Sequence, residues 1–319
     1  MNFIIEAKGL NKSFKSGGAT VEAVRDVTFQ LEPGIIFGFL GPNGAGKTTT
    51  LRMLTTLLAP TKGSAVVAGH DLFTSPQEIR KTIGYVSQKG GCYRSMTGRE
   101  NIVLQGQLYG LSKQEAEKRA TELIELLELS AFCDRPVETY SGGQARRVDI
   151  AMGVVHAPVV LFLDEPTTGL DPQSRAYLWN LLRGLKSSRN TTIFLTTHYL
   201  EEADALCDRV AIIDHGTLVR DGSPAELKRG IAGDIITIGI EESGDRERAL
   251  QAIEKAPRVK SVHVGDGALV VHVDVGEEVL AQILKLLHTG DVPFTTVSLT
   301  RPTLNDVFLH ATGHSLREN

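Results

Sequence analysis

The sequence predicts an α/β fold with a parallel sheet, followed by a small α+β domain. Three stretches carry that prediction. Residues 35–58 pass from an apolar run ending at Leu40, through a turn holding Gly41, Gly44 and Gly46, to Leu51, Leu54, Leu57 and Leu58 at helical spacing. Residues 159–163 form a second continuous apolar run, the kind buried on both faces in a parallel sheet, and it ends on Asp164 and Glu165. Beyond residue 230, strand patterns at 234–240, 259–264, 268–273 and 294–299 alternate with helical patterns near 246–255 and 277–288. That βαββαβ order predicts a ferredoxin-like sheet.

Composition bounds the function. With 319 residues, 41% hydrophobic and 23% charged, the chain has material for one large domain and one small one. Its formal charge of −4 gives no basic excess, so no nucleic acid is expected as partner. Cys92, Cys133 and Cys207 are odd in number and widely spaced, which fits neither a disulfide framework nor a CxxC metal site and points to a reducing, cytoplasmic setting. The first six residues lack a basic segment, and no apolar run approaches the ~20 residues that span a bilayer. No direct membrane insertion is expected, and any spanning part belongs to a partner.

In chain order, residues 3–10, 21–31 and 64–68 read as strands of a small antiparallel sheet, with turns at Gly17-Gly18 and Pro33-Gly34. Phe14 alone reads as a core or turn aromatic. Gly41-Pro42-Asn43-Gly44-Ala45-Gly46-Lys47-Thr48-Thr49 satisfies the P-loop pattern, in which backbone N–H groups converge on phosphate at a helix N-terminus. Lys47 supplies a cation for the β- and γ-phosphates, and the Thr48 hydroxyl is placed for Mg²⁺. A helix over 76–82 precedes a strand at 83–87 that delivers Gln88 to the sheet edge where ligands bind. Helices at 99–110 and 113–129 follow, the second burying Ala116, Ala120, Leu123, Ile124 and Leu127. Tyr140-Ser141-Gly142-Gly143-Gln144 has the form of a capping box, and its two glycines let the backbone approach an anion, a second phosphate-binding helix end.

Two acids at the end of a buried strand are unfavourable unless a cation or a proton-transfer role stabilises them. Asp164 has the position of a Mg²⁺-holding carboxylate, and Glu165 that of a base polarising the attacking water. A turn through residue 172 leads to a helix at 173–187 with Leu178, Leu181, Leu182 and Leu185 inward, and a strand at 191–197 brings His198 to the same sheet edge. Strands at 209–213 and 217–220 close the large domain.

GPNGAGKTT (41–49), Gln88, YSGGQ (140–144), LFLDEP (161–166), GLD (169–171) and His198, in that order, resemble the nucleotide-binding subunit of an ATP-binding-cassette (ABC) transporter. The match runs from residue 3 to about 230. It implies a P-loop NTPase cassette at 1–230, with a mixed sheet core, an antiparallel β subdomain and an inserted helical subdomain at about 89–157; residues 231–319 then form an accessory domain. It also implies that Phe14 stacks on adenine, that Gln88 senses the γ-phosphate and Mg²⁺, and that Ser141, Gly142, Gly143, Gln144 and Asp171 contact ATP. Tyr140 departs from the Leu usual before SGGQ, a change expected to alter packing only. TTHYLEEAD (196–204) and RPTLNDVFLHATG (301–313) resemble the daunorubicin-resistance type of drug-export ATPase. The scattered His263, His272 and His288 form no catalytic cluster.

One chain cannot easily bring both anion-binding helix ends to one nucleotide, because the helical subdomain separates them. The expectation is a homodimer on ATP binding, each copy's Ser141 and Gly143 closing over the ATP held by its partner's Lys47. Separate transmembrane permease subunits would ride on the pair at the cytoplasmic face of the membrane, meeting Tyr93, Met96 and Arg99. The competing reading is a non-transport ABC ATPase acting on nucleic acid or ribosomes; such proteins usually carry two cassettes or a long coiled coil, and the sequence shows neither a second P-loop nor heptads.

Overall fold

The computed structural model describes residues 3–16, 19–230, 233–240, 243–254, 256–265 and 268–312. Gly17, Gly18 and Gly313, used in the sequence reading, lie outside them. The chain divides between Asp221 and Gly222 into two compact units.

The first unit begins with β1 (Ile5–Ser16) and β2 (Ala19–Leu31), an antiparallel pair whose alternating Ile5, Ala7, Val27, Phe29 and Leu31 are buried. Strand β3 (Ile36–Leu40), buried at every position, leads into helix α1 (Lys47–Leu54). This helix stops earlier than the leucine spacing predicts. The Thr55 hydroxyl bonds back to the Leu51 and Arg52 carbonyls and Thr56 turns left-handed at φ 62°, which leaves Leu57 exposed. Strands β4 (Lys62–Val67) and β5 (His70–Asp71) complete a four-stranded sheet in the order β2-β1-β4-β5.

Helix α2 (Pro76–Thr82), started by its proline, delivers β6 (Ile83–Val86). Three helices follow, α3 (Gly98–Leu108), α4 (Lys113–Leu126) and α5 (Gly142–Val154). Each opens on a capping box, Thr97 with Glu100, Ser112 with Glu115, and Ser141 with Gln144. The polypeptide then returns to the sheet as β7 (Val160–Asp164), α6 (Pro172–Arg189), β8 (Thr192–Thr197), α7 (Leu200–Leu206), β9 (Arg209–Asp214) and β10 (Thr217–Gly222). On α6, Leu178, Leu182 and Leu185 are buried at i, i+4, i+7, whereas Leu181, at the edge of that stripe, is only half-buried.

The second sheet runs β10-β9-β3-β8-β7-β6, with β9, β3, β8, β7 and β6 parallel. Phe37 and Phe39 of β3, Phe162 of β7 and Phe194 of β8 pack with Phe29 of β2, so one aromatic cluster joins the two sheets. Each ring so buried contributes about 1.5–3 kcal/mol, and favourable ring pairs add about 0.5–1.5 kcal/mol. Because β3, β8, β7 and β6 are consecutive and parallel, their C-terminal ends bring the loop after Leu40, His198, Asp164 with Glu165, and Gln88 to one edge.

The second unit opens with the short α8 (Pro224–Arg229), followed by β11 (Asp234–Gly239), α9 (Ser243–Ile253), β12 (Val259–Gly265), β13 (Ala268–Val273), α10 (Gly276–Thr289), β14 (Thr296–Thr300) and α11 (Leu304–Thr312). Its antiparallel order β12-β13-β11-β14 is the ferredoxin-like arrangement. Ile236, Ile238, Leu269, Val271 and Val273 form a core with Val279, Ile283 and Leu287 of the amphipathic α10. Leu304, Val307 and Phe308 are buried on α11, which packs on α8.

Candidate functional site

The loop between β3 and α1 keeps its shape because of its glycines. Gly46, the N-cap of α1, has φ 102°, where a side chain is strained, and a Cβ there would lie 2.5 Å from the Ala23 carbonyl. A Cβ at Gly41 would lie 2.2 Å from the Ile213 carbonyl. Lys47 is buried, and its Nζ donates to the Gly41 and Pro42 carbonyls at 2.8 and 3.0 Å. Burial lowers its pKa; the nearby Glu165 and Asp164 carboxylates oppose that shift. Thr48 Oγ1 donates to Asp164 Oδ1 at 2.8 Å, and Thr196 Oγ1 donates to the same oxygen at 2.7 Å.

Glu165 is the hub. Gln88 Nε2 donates to its Oε2 at 2.9 Å, Thr168 Oγ1 donates to the same oxygen at 3.2 Å, and Lys47 Nζ lies 3.4 Å from Oε1. His198 Nδ1 lies 3.3 Å from Oε2 but lacks hydrogen-bond alignment there. Burial opposes ionisation of this carboxyl, yet the His198 and Lys47 contacts outweigh it and hold the pKa down to about 2. The backbone of Glu165 is left-handed, φ 45°. Asn43, Gly44, Gly46, Lys47, Thr48, Thr49, Gln88, Glu165 and His198, with Ala23 and Thr168, line one open, predominantly polar concavity of about 480 Å³.

Three residues that shape this site escaped the sequence reading. Thr196 accepts from the Glu165 N–H at 3.0 Å besides bonding Asp164; its place two residues before His198 in the TTH run was the one available signal. Thr168 sits in the turn already noted after Glu165. Arg146, on α5, donates to the carbonyls of Ser87, Asp164 and Pro166 at 2.7, 3.1 and 2.8 Å. Nothing local in the sequence announces it, since its partners are main-chain atoms of distant segments.

Other candidate residues lie elsewhere. Phe14 is 40% exposed on β1, opposite Val21, with Lys12 Nζ 5.4 Å from its ring centre, and it does not line the concavity. Ser141, Gly142, Gly143 and Gln144 form the capping box of α5, with Ser141 and Gly142 exposed. Asp171 caps α6, accepting from Ser174 N at 2.9 Å and Ser174 Oγ at 2.6 Å. A Cβ at Gly143 would lie 2.7 Å from Ser174 Oγ, so the two caps abut and form one surface, and neither cap is among the residues lining the concavity. Tyr140 packs ahead of α5: its hydroxyl accepts from Gly98 N at 3.1 Å and reaches the Phe132 and Arg135 carbonyls at 2.8 and 3.1 Å, and its ring meets Phe132 edge-on.

Thr48, Asp164 and Gln88 offer a hydroxyl, a carboxylate and an amide oxygen, hard donors that suit Mg²⁺ completed by substrate phosphate and water. Among the described residues no group of three or more His, Cys, Asp or Glu side chains stands ready for another metal.

Comparison with known proteins agrees with this geometry. A family described as ABC transporter matches residues 24–168, and one described as the C-terminal domain of DrrA1-3-like ATP-binding proteins matches residues 222–312. The daunorubicin/doxorubicin resistance ATP-binding protein DrrA of Streptomyces peucetius is 40% identical over 97% of this chain and 92% of its own length. The doxorubicin resistance ATP-binding protein DrrA of Mycobacterium tuberculosis is 39% identical over 97% of this chain and 93% of its own. A solved ATP-binding cassette dimer, in a post-hydrolysis state bound to ADP and Pi, superposes with a TM-score of 0.63 at 27% identity over 69% of this chain and 98% of that one.

Proposed function

Because this chain belongs to the ATP-binding, ATP-hydrolysing subunits of ABC exporters, we propose that it powers export of a drug or other lipophilic compound through ATP-driven pairing of two copies. The observation that carries the catalytic part is the convergence of Lys47, Gln88 and His198 on the ionised Glu165 at the mouth of the P-loop.

ATP and water react to give ADP and phosphate, with Glu165 accepting the proton of the attacking water. Lys47 rests on two loop carbonyls and beside Glu165, and its charge helps suppress the basicity of that carboxylate. When Lys47 turns to the phosphate oxygens of the substrate, that suppression weakens and Glu165 gains the basicity its role requires. Gln88 and His198 hold the carboxylate in place and report the γ-phosphate. Thr48, Asp164 and Gln88 would hold Mg²⁺, which would supply positive charge against the phosphate oxygens of the substrate. Backbone N–H groups from Gly41 to Thr49 cradle the phosphates, and Phe14 offers the flat face for adenine.

The second anion-binding surface, Ser141 to Gln144 beside Asp171, serves the nucleotide of the other copy in a twofold pair, which accounts for its absence from the lining of its own Lys47 concavity. The dimeric cassette structure and the adjoining helix caps support this reading. Among the described residues no helix is long and apolar enough to cross a membrane. In this reading separate permease subunits supply the pathway and the chain works at the cytoplasmic membrane face. A groove of about 530 Å³ lined by Met96, Arg99, Glu100, Val103 and Leu104 is the seat offered to them. Drug export rests on the resistance named for the two bacterial relatives. The domain reading is a cassette to about residue 230 and an accessory domain beyond it.

Two variants test the shared site. Reconstituted with its permease, Glu165→Gln binds ATP and pairs but keeps only a small residual rate of phosphate release, which compounds that stimulate wild-type turnover do not raise; undiminished phosphate release removes Glu165 from the mechanism. Ser141→Arg keeps ATP affinity in the single copy and loses hydrolysis, measured by titration and steady-state assay; retained hydrolysis argues against closure by a partner.

A further inference from the structure

Glu165 occupies a backbone conformation that a glutamate rarely adopts, φ 45°, at the point where its carboxylate must meet Lys47, Gln88 and His198. Such conformations persist only where neighbouring groups over-determine them. Arg146 donates to the carbonyl just before Glu165, that of Asp164, and to the carbonyl just after it, that of Pro166, while Thr196 Oγ1 receives the N–H of Glu165 itself. The third Arg146 bond goes to Ser87, whose carbonyl adjoins Gln88. One guanidinium therefore brackets both Glu165 and the residue that hydrogen-bonds it.

Arg146 is 6% exposed, and burying a guanidinium is unfavourable unless its hydrogen bonds are met. A planar fork of fixed donors can reach three carbonyls on two strand ends at once, which a lysine cannot. Arg146 also sits within α5, the helix that begins at Ser141, and one turn further along Asp149 Oδ1 accepts from Gly91 N at 2.8 Å, three residues past Gln88. The helix thus holds the Gln88 loop on both sides.

We propose that Arg146 is a positioning residue for hydrolysis: its guanidinium locks Glu165 in the left-handed conformation and sets Gln88 against it, tying both to the helix whose Ser141 end closes the other copy's site. The proposal rests on the ATPase reading above and deepens it.

The test compares the full-length wild type, Arg146→Lys, Arg146→Gln, Glu165→Gln and the double variant Arg146→Lys/Glu165→Gln. Readouts are kcat, KM, affinity for a fluorescent ATP analogue, and melting temperature. Arg146→Lys and Arg146→Gln each lower kcat on the order of a hundredfold, the effect of a small misplacement of a catalytic group, while analogue affinity stays at the wild-type value. In the Glu165→Gln background Arg146→Lys lowers the residual rate no further, because the two residues act as a unit. A kcat near wild type in Arg146→Lys, an equal fall in affinity, or a full further loss in the double variant overturns the proposal. If the Arg146 variants do not fold, Thr196→Val and Thr196→Ser take their place: the valine variant loses kcat at unchanged affinity and the serine variant restores it, and a valine variant that turns over normally overturns the backbone clamp. A wild type that binds ATP without hydrolysing it sinks the ATPase reading instead.

Discussion

At the scale of single residues, Glu202 offers a measurement independent of catalysis. It is fully buried on α7, with Trp179 Nε1 donating to its Oε1 at 3.1 Å. Burial raises its pKa, against the opposing hydrogen bond of Trp179. The folded chain therefore keeps a proton that the unfolded chain loses above about pH 4.3, so stability falls as pH rises from there to the raised folded value, by up to about 1.4 kcal/mol per pH unit. Glu202→Gln removes that slope. Melting temperatures across pH 4 to 8 are expected to show the variant gaining on wild type as pH increases; parallel curves contradict a protonated Glu202. The same scale shows why part of the site was legible in the sequence. Lys47 with its glycines, and the pair Asp164 and Glu165, betray their chemistry by residue type and position. Arg146 and Thr196 do not, since they act on main-chain groups that only the folded sheet brings within reach.

At the scale of elements, apolar runs gave the strands closely, because a strand buried on both faces has few other readings. Helix ends were harder. Leu57 and Leu58 continued the leucine spacing of α1, but the Thr55 hydroxyl and the left-handed Thr56 end that helix at Leu54, a local competition that periodicity does not register. Helix α5 shows the reverse, its Ser141 and Gln144 cap being readable at once. Its approach to the sheet depends on two small residues: a Cβ at Gly84 of β6 would lie 2.0 Å from the Gly153 carbonyl of α5, and one at Gly153 would lie 2.7 Å from Val86 Cγ2. That closeness lets Arg146 reach the strand ends. Tyr140, just ahead of α5, joins it to the start of α3 through the Gly98 N–H. Tyr140→Leu leaves that donor without its partner and is expected to cost about 1–3 kcal/mol. Thermal melts check the loss, and kcat per folded molecule is expected to stay near wild type.

At the scale of the whole molecule, the two units have separate cores, one around the phenylalanine cluster and the other around Ile236, Val271 and Ile283. Ile283→Asp places a charge in the second core, at a cost of several kcal/mol. It is expected to make residues beyond 222 protease-sensitive while affinity for the ATP analogue is retained; a matching loss of nucleotide binding contradicts independent cores. The ferredoxin-like order of the second unit was legible from alternating strands and helices alone. The order of the six-stranded sheet was not, because β3 at 36–40 pairs with β8 and β9, which lie more than 150 residues later. A chain emerging from the ribosome therefore carries its most apolar strand with both edges bare until residues 192–214 have left the exit tunnel. For most of translation the nascent protein has a phosphate loop with no sheet to stand on, and shielding Ile36 to Leu40 during that interval is a task that falls to the cell.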